Sequence, residues 1–184
     1  MNKWITFFSQ TGSEIVDLAN SLHRWPDIII TNNTDLDSMH PEIRKKITHT
    51  LTMEDAKTVD ILHSVANPDD LITLHGWLRI VPKNICERYN IYNGHPGLIN
   101  EYPELKGKDP QQRAYDNIKL YDRIGSVVHK VTPVVDDGEI VATCSVNVPL
   151  IPTLSQVFDS LKLTSKKSWI AFLENKVKIK EAIC

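Results

Sequence analysis

A chain of 184 residues, 41% of them hydrophobic, has the size of one domain and too much apolar content for a disordered chain. Its formal net charge of −2 is mixed along the sequence, which leaves no basic field for bulk nucleic acid. No stretch approaches the roughly 20 apolar residues of a membrane span, and residues 1–8 lack the apolar core and cleavage site of a signal peptide. Cys86, Cys144 and Cys184 are far apart with no CxxC, which predicts a reducing, cytoplasmic setting. Cys86 and Cys144 read as small core residues and Cys184 as a free thiol.

Residues 4–8 read as a strand and 9–13 as a turn of small and polar residues. Ile15, Leu18, Ala19 and Leu22 recur at helical spacing over residues 14–24, and Ile28-Ile29-Ile30 makes a second strand over 27–31. Strand, helix, strand in this order predicts a right-handed βαβ unit and a parallel sheet. A polar loop over 34–39 precedes a short helix over 41–46. Thr52, with Asp55 three residues on, caps a helix carrying Ala56, Val59, Ile61, Leu62 and Val65, which ends at Asn67-Pro68. His63, on that helix, is expected to be partly buried. Residues 70–75 form a third strand, 83–88 a short helix, and Ile91-Tyr92-Asn93 a returning strand.

Residues 96–110 form a long loop with three prolines and two glycines, a kind of loop that often carries function. A helix over 111–120 follows, then a strand over 125–132 rich in β-branched Val. The turn Asp136-Asp137-Gly138 leads into a strand over 139–148, and the two strands read as a hairpin. Thr153-Leu154-Ser155-Gln156 is a capping box for a last helix. Its apolar stripe, Trp169, Ile170, Phe172, Leu173 and Val177, packs on the sheet or on a second subunit. With no internal repeat and no second module, residues 1–184 read as one α/β domain.

The chemistry concentrates in Asn93-Gly94-His95-Pro96. If this segment is extended, Asn93 and His95 point to the same side, because strand side chains repeat with period 2. A neutral and a potentially cationic donor would then converge where an oxyanion develops in acyl transfer. Read blandly, Asn93-Gly94 is a turn, and Asp136-Asp137-Gly138 an ordinary hairpin turn. His23, His40, His49, His63 and His75 show no HxxxH or CxxC partner pattern, so no metal is expected.

His75-Gly76-Trp77-Leu78-Arg79-Ile80-Val81 resembles the GFMRIL segment of folate-dependent formyltransferases. Asn93-Gly94-His95-Pro96-Gly97-Leu98-Ile99 is similar to their NxHPSLLP motif, and Tyr102-Pro103 to the Tyr that follows it. Gly125-Ser126-Val127-Val128-His129-Lys130-Val131-Thr132 resembles their GxSVHxVT strand, and Asp136-Asp137-Gly138 their Asp-x-Gly loop. The matches fall in order over residues 71–148. The branch acting on glycinamide ribonucleotide is nearest in size and layout, and the additional C-terminal domain of the tRNA-formylating branch is not expected here.

This resemblance implies a Rossmann-like fold: a mostly parallel sheet flanked by helices, with a C-terminal β-hairpin and helix. It implies 10-formyltetrahydrofolate as co-substrate, a small-molecule amine as acceptor, and oligomerisation as an option. An amine attacks the formyl carbon, giving a tetrahedral intermediate. By match, Asn93 and His95 stabilise its oxyanion. Asp136 holds His95 cationic and orders a proton-shuttling water, with Asp137 the adjacent alternative. His129 supports the site from its strand. Leu78, Arg79, Ile80 and Val81 line the pterin slot, and Thr132, Val134 and Val135 close its other side. The family's first loop has the form SGxGSN and holds the substrate phosphate on its amides. Here Gln10, Thr11, Gly12, Ser13 and Glu14 take that place. Glu14 stands where the family has Asn, and a carboxylate beside a phosphate is unfavourable. It is also ordinary dipole complementation in a first helical turn. The acceptor is therefore either glycinamide ribonucleotide or another amine, on an amino-sugar nucleotide or a modified nucleobase. A folate-binding homologue without catalysis is the reading outside enzymes.

Overall fold

The computed structural model describes residues 2–174, 176 and 177; Cys184, read above as a free thiol, lies outside them. In chain order the elements are β1 (Trp4–Phe8), α1 (Ser13–Leu22), β2 (Ile28–Thr31), α2 (Pro41–Arg44), β3 (His49–Thr50), α3 (Asp55–Thr58), α4 (Leu62–Val65), β4 (Leu71–His75), α5 (Lys83–Arg88) and β5 (Asn90–His95). Then come α6 (Pro110–Asp116), β6 (Arg123–Lys130), β7 (Ile140–Asn147) and α7 (Leu154–Leu173). The seven strands form one sheet in the order β3-β2-β1-β4-β5-β6-β7. The first five strands are parallel, and β6 and β7 run antiparallel as a hairpin with a bulge at Val128/His129.

Every residue of β1 is buried, as expected for a central strand covered on both faces. The α1 stripe buries Ile15, Val16, Leu18 and Ala19, the i, i+3, i+4 pattern of one helix face. The strand order reverses between β1 and β4. In open α/β sheets such a switch point, at the carboxyl ends of the strands, is where ligands bind. The turns leaving β1 and β4 both lie there.

Three elements differ from the sequence reading. The helix expected from Thr52 to Val65 is broken into α3 and α4 at Val59, whose φ of 56° is left-handed. That conformation is costly for a β-branched residue. It persists because Val59 is fully packed in one core cluster with Ala56 and Leu62. The cap itself is present: the Asp55 amide donates to Thr52 Oγ1 at 3.1 Å. The helix expected over 111–120 ends at Asp116, and Ile118–Leu120 is a 3₁₀ turn. β3, at the edge of the sheet, was not foreseen, because two residues are too short to show an alternation. His63 is exposed rather than partly buried, its Nδ1 3.0 Å from the Tyr89 hydroxyl. Cys86 is buried and Cys144 half-buried.

The last helix packs on the sheet. The capping box forms as read: Gln156 N–H donates to Thr153 Oγ1 at 3.3 Å, and Thr153 N–H to Gln156 Oε1 at 2.9 Å. Ser168 Oγ donates to the Ser126 carbonyl at 2.9 Å, tying α7 to β6. Trp169 is fully buried, and its indole lies directly against β5 at Gly94. A Cβ on Gly94 would stand 2.4 Å from Trp169 Nε1. Asn93-Gly94 is therefore no turn. The glycine is there because only a bare backbone lets the indole close on the strand. Gly94→Ala is expected to lower the unfolding free energy by about 1–3 kcal/mol through overpacking. Urea denaturation followed by tryptophan fluorescence measures this; an unchanged midpoint would contradict the packing argument.

Candidate active site

The carboxyl end of β5 delivers Asn93 and His95, and the antiparallel register sets His129 of β6 opposite Asn93. Asp136 follows β6 in a left-handed conformation (φ 52°), which Asp tolerates better than most residues. The turn folds its carboxylate back between the two imidazoles. Asp136 Oδ2 lies 3.3 Å from His95 Nδ1, and Oδ1 lies 3.4 Å from His129 Nε2. The Gly107 amide donates to Oδ2 at 2.8 Å. Asn93 Nδ2 is 3.3 Å from His129 Nε2. Asn93, His129, Asp136 and His95 thus form one polar chain, and the three ionisable side chains are almost fully buried. Asp137 points elsewhere, to Lys106 Nζ at 2.5 Å, so Asp136 is the carboxylate facing the imidazoles.

Backbone carbonyls fix where the imidazole protons sit, because a carbonyl only accepts. His95 Nε2 donates to the Leu105 carbonyl at 2.9 Å, and His129 Nδ1 to the Lys130 carbonyl at 3.0 Å. The two nitrogens nearest Asp136 are His95 Nδ1 and His129 Nε2. His129 Nε2 without a proton takes an Asn93 N–H; with one, it donates to Asp136. Burial would push the Asp136 carboxyl up, but the hydrogen bond from His129, the charge of His95 and the Gly107 amide outweigh it and hold the group below its usual range. For His95, burial wins. It lowers the imidazole below its ordinary value although Asp136 and the Leu105 carbonyl act the other way; His129 and Arg113 reinforce the lowering.

Two expectations change here. Against the expectation that Asp136 holds His95 cationic, desolvation of the ring outweighs one carboxylate at 3.3 Å and lowers the imidazole below its ordinary value. Nor do Asn93 and His95 present two free donors to a common point. The 96–110 loop closes over His95 and takes its Nε2–H onto Leu105, while Gly97 sits so close that a Cβ there would lie 3.3 Å from the imidazole Cδ2.

A cleft of about 390 Å³ opens beside this cluster at the switch point. Its walls include Gln10, Thr11, Gly12, Ser13 and Glu14 of the first loop, Gly94 and Pro96 of the β5 end, and Lys162 and Ser165 of α7. Gly12 has φ 69°, and a Cβ there would strike Ile43 Cδ1 at 2.6 Å, so the turn into α1 requires glycine. Glu14 is the anchored charge of this cleft. His75 Nδ1 lies 2.8 Å from its Oε2, and Ser165 Oγ donates to Oε1 at 2.6 Å. Burial alone would raise the Glu14 carboxyl, but the hydrogen bond and charge of His75, together with Ser165, hold it below the usual range. His75 thus has a partner after all, 61 residues away in sequence. Ser9 Oγ accepts the Leu78 amide at 3.0 Å, linking the first loop to the predicted folate segment.

In the segments expected to hold the folate, Leu78, Ile80, Val134 and Val135 are more than half exposed. Arg79 donates to the Leu78 carbonyl at 3.1 Å, and the Thr132 hydroxyl to the Val134 carbonyl at 2.9 Å. Val81 departs from the expectation: it turns into the core, 6% exposed, beside Ile85 and Cys86. A second hollow, about 440 Å³, opens at the opposite end of β1 and β4 near Lys3 and Arg24, away from these groups.

A model of the formyl transferase family matches residues 28–173. A phosphoribosylglycinamide formyltransferase of Dictyostelium discoideum is 33% identical over 93 residues, which cover 46% of this chain and 43% of that protein. The match thus spans less than half the length of that relative. Among solved structures, glycinamide ribonucleotide transformylase 1 from Geobacillus kaustophilus superposes with a TM-score of 0.79 at 17% identity, covering 97% of this chain and 100% of its own. The phosphoribosylglycinamide formyltransferase of Campylobacter jejuni gives 0.78 at 18%, covering 97% and 99%. These two likenesses establish the Rossmann-like fold, and the family model, spanning most of the sequence, establishes descent: this chain belongs to the formyl transferase family.

Proposed function

We propose that the chain transfers a formyl group from 10-formyltetrahydrofolate to the primary amine of a small acceptor in the cytoplasm, with glycinamide ribonucleotide the leading acceptor. The observation that carries this is the buried Asn93–His129–Asp136–His95 chain at the edge of the switch-point cleft. The folate supplies an activated formyl carbon; the acceptor nitrogen forms the new C–N bond as the bond to the folate nitrogen breaks. Asn93, half-buried at the strand end, is the neutral donor for the developing oxyanion. In this reading His95 takes the amine proton, and the imidazolium so formed is stabilised by Asp136, 3.3 Å from its Nδ1, at the moment its charge appears. The same proton then returns to the folate nitrogen as that bond breaks. Leu78, Arg79, Ile80, Thr132, Val134 and Val135 hold the folate ring by apolar contact and backbone hydrogen bonds.

One observation favours a different acceptor. Glu14 is an anchored carboxylate in the wall of the acceptor cleft. A second unit charge about 4 Å away costs about 4 kcal/mol at the effective dielectric of a protein surface. An amine whose hydroxyl or ammonium groups face Gly12 and Glu14, as on an amino-sugar nucleotide or a modified nucleobase, meets an acceptor instead of a repulsion.

Formyl-donor turnover tests the reading. With a suitable amine the wild type forms N-formyl product, and Asn93→Ala is expected to lower kcat by roughly 10²–10³, the loss typical of an oxyanion donor. His95→Ala should fall at least as far. A wild type that binds folate but formylates no amine in a broad panel would mark a binding homologue instead. In pH profiles, kcat/KM should fall on acidification as His95 takes a proton, with its midpoint below that of an ordinary imidazole. Because Asp136 raises the His95 value, Asp136→Asn should move that midpoint to still lower pH; a shift upward would contradict the assignment. For the acceptor, Glu14→Asn should raise kcat/KM for glycinamide ribonucleotide relative to its dephosphorylated riboside by about tenfold or more, or about 1.4 kcal/mol. An unchanged ratio would remove Glu14 as the selecting group.

A further inference from the structure

Arg113, on α6, has no role in the sequence reading, yet its guanidinium converges on the loop that closes over His95. Nη1 donates to the Glu104 carbonyl at 2.7 Å, and Nη2 to the carbonyls of Leu105 at 3.0 Å and Lys106 at 2.8 Å. The Leu105 carbonyl is the one that accepts His95 Nε2–H at 2.9 Å. The next residue after Lys106 is Gly107, whose amide holds Asp136 Oδ2. One side chain therefore fixes three consecutive carbonyls, and through them the partners of both ends of the His95–Asp136 pair. Other ties on the same loop are weaker in placement: Tyr121 hydroxyl to Glu104 Oε1 at 2.9 Å, and Lys106 to Asp137 at the surface.

We propose that Arg113 is a positioning residue for formyl transfer, clamping the 104–106 carbonyls so that Leu105 holds the proton of His95 on Nε2 and leaves Nδ1 open toward Asp136. This rests on the formyl-transfer reading for its kinetic consequence, though the clamp itself is a matter of geometry. The shape of the group matters. A planar guanidinium presents several donors in a fixed fork, whereas an ammonium reaches fewer carbonyls from one point. Two donors on the Leu105 carbonyl occupy both of its lone pairs, so neither water nor a neighbouring hydroxyl competes for it. A neutral His95 free to choose its tautomer would instead place a proton on Nδ1, against Asp136, and move its basic nitrogen to Nε2, on the side of Leu105. The charged groups facing His95 are Asp136, His129 and Arg113. Within this set Arg113 also opposes positive charge on the ring, so it keeps the proton taken from the amine easy to return.

The test uses the full chain with ¹⁵N-labelled histidine, together with kinetics of Arg113→Gln and Arg113→Lys. In the wild type at neutral pH, His95 should show a single tautomer protonated at Nε2. In Arg113→Gln, the His95 signals should shift to a mixture of tautomers, kcat should fall about tenfold or more as positioning losses do, and KM for the folate should change little. Its acid limb in kcat/KM should move to higher pH, since the opposing cation is gone. Arg113→Lys should keep the limb near the wild-type position while still losing rate, and it serves if the glutamine variant does not fold. His95 signals and kcat unchanged from wild type in both variants would overturn the proposal. If the wild type transfers no formyl group, the functional reading fails by itself, and the tautomer of His95 in the two variants still decides the clamp.

Discussion

A carboxylate taken out of water needs compensation, and Asp136 draws it from the Gly107 amide and from the two imidazoles that face it, His95 at 3.3 Å and His129 at 3.4 Å. Much of the molecule is arranged around that requirement. The antiparallel register of β5 and β6 brings His129 opposite Asn93. The left-handed turn at Asp136 folds the carboxylate back, and the long loop after β5 supplies the amide. The imidazole nitrogens turned away from Asp136 are tied to backbone carbonyls, which leaves the other nitrogen of each ring facing the carboxylate. A site of this kind moves a proton without moving heavy atoms, which suits the attack of an amine on a formyl carbon.

A second network lies across the cleft. Trp4 Nε1 donates to Thr73 Oγ1 at 2.9 Å, Thr73 meets His75 Nε2 at 3.0 Å, and His75 and Ser165 hold Glu14. It runs from the core at β1 through β4 to α7, so the charge on the acceptor side is set by the same helix whose Trp169 presses on Gly94. The segments proposed for the formyl donor and for the acceptor meet at β5. The former keep the pattern of the family, whereas the latter carry Glu14.

Strands and helices with a clear period were legible from the sequence: β1, α1, β4 and α7 all sit where their apolar spacing puts them. Asn93, His95, His129 and Asp136 fall in local, ordered motifs, and the fold brings their side chains together. What escaped were features decided by distant contacts. The break at Val59 depends on core packing that overrides helix propensity. The Glu14–His75 pair joins residues 61 apart, and no spacing rule links them. The charge state of His95 depends on how far the 96–110 loop seals it from water, which no motif encodes. Arg113 carried no signal, since a single arginine in a short helix reads as solvated surface. Val81 sits in the motif expected to line the ligand, yet its hydrophobicity sends it to the core.

The most direct measurement is a crystal structure of the chain with a non-hydrolysable 10-formyl folate analogue and an amine acceptor bound together. The pterin is expected against Leu78, Arg79 and Ile80, the formyl-equivalent oxygen within hydrogen-bond reach of Asn93 Nδ2, and the acceptor amine within reach of His95 in the cleft beside Glu14. An analogue bound with its reacting carbon out of reach of both Asn93 and His95 would contradict this arrangement.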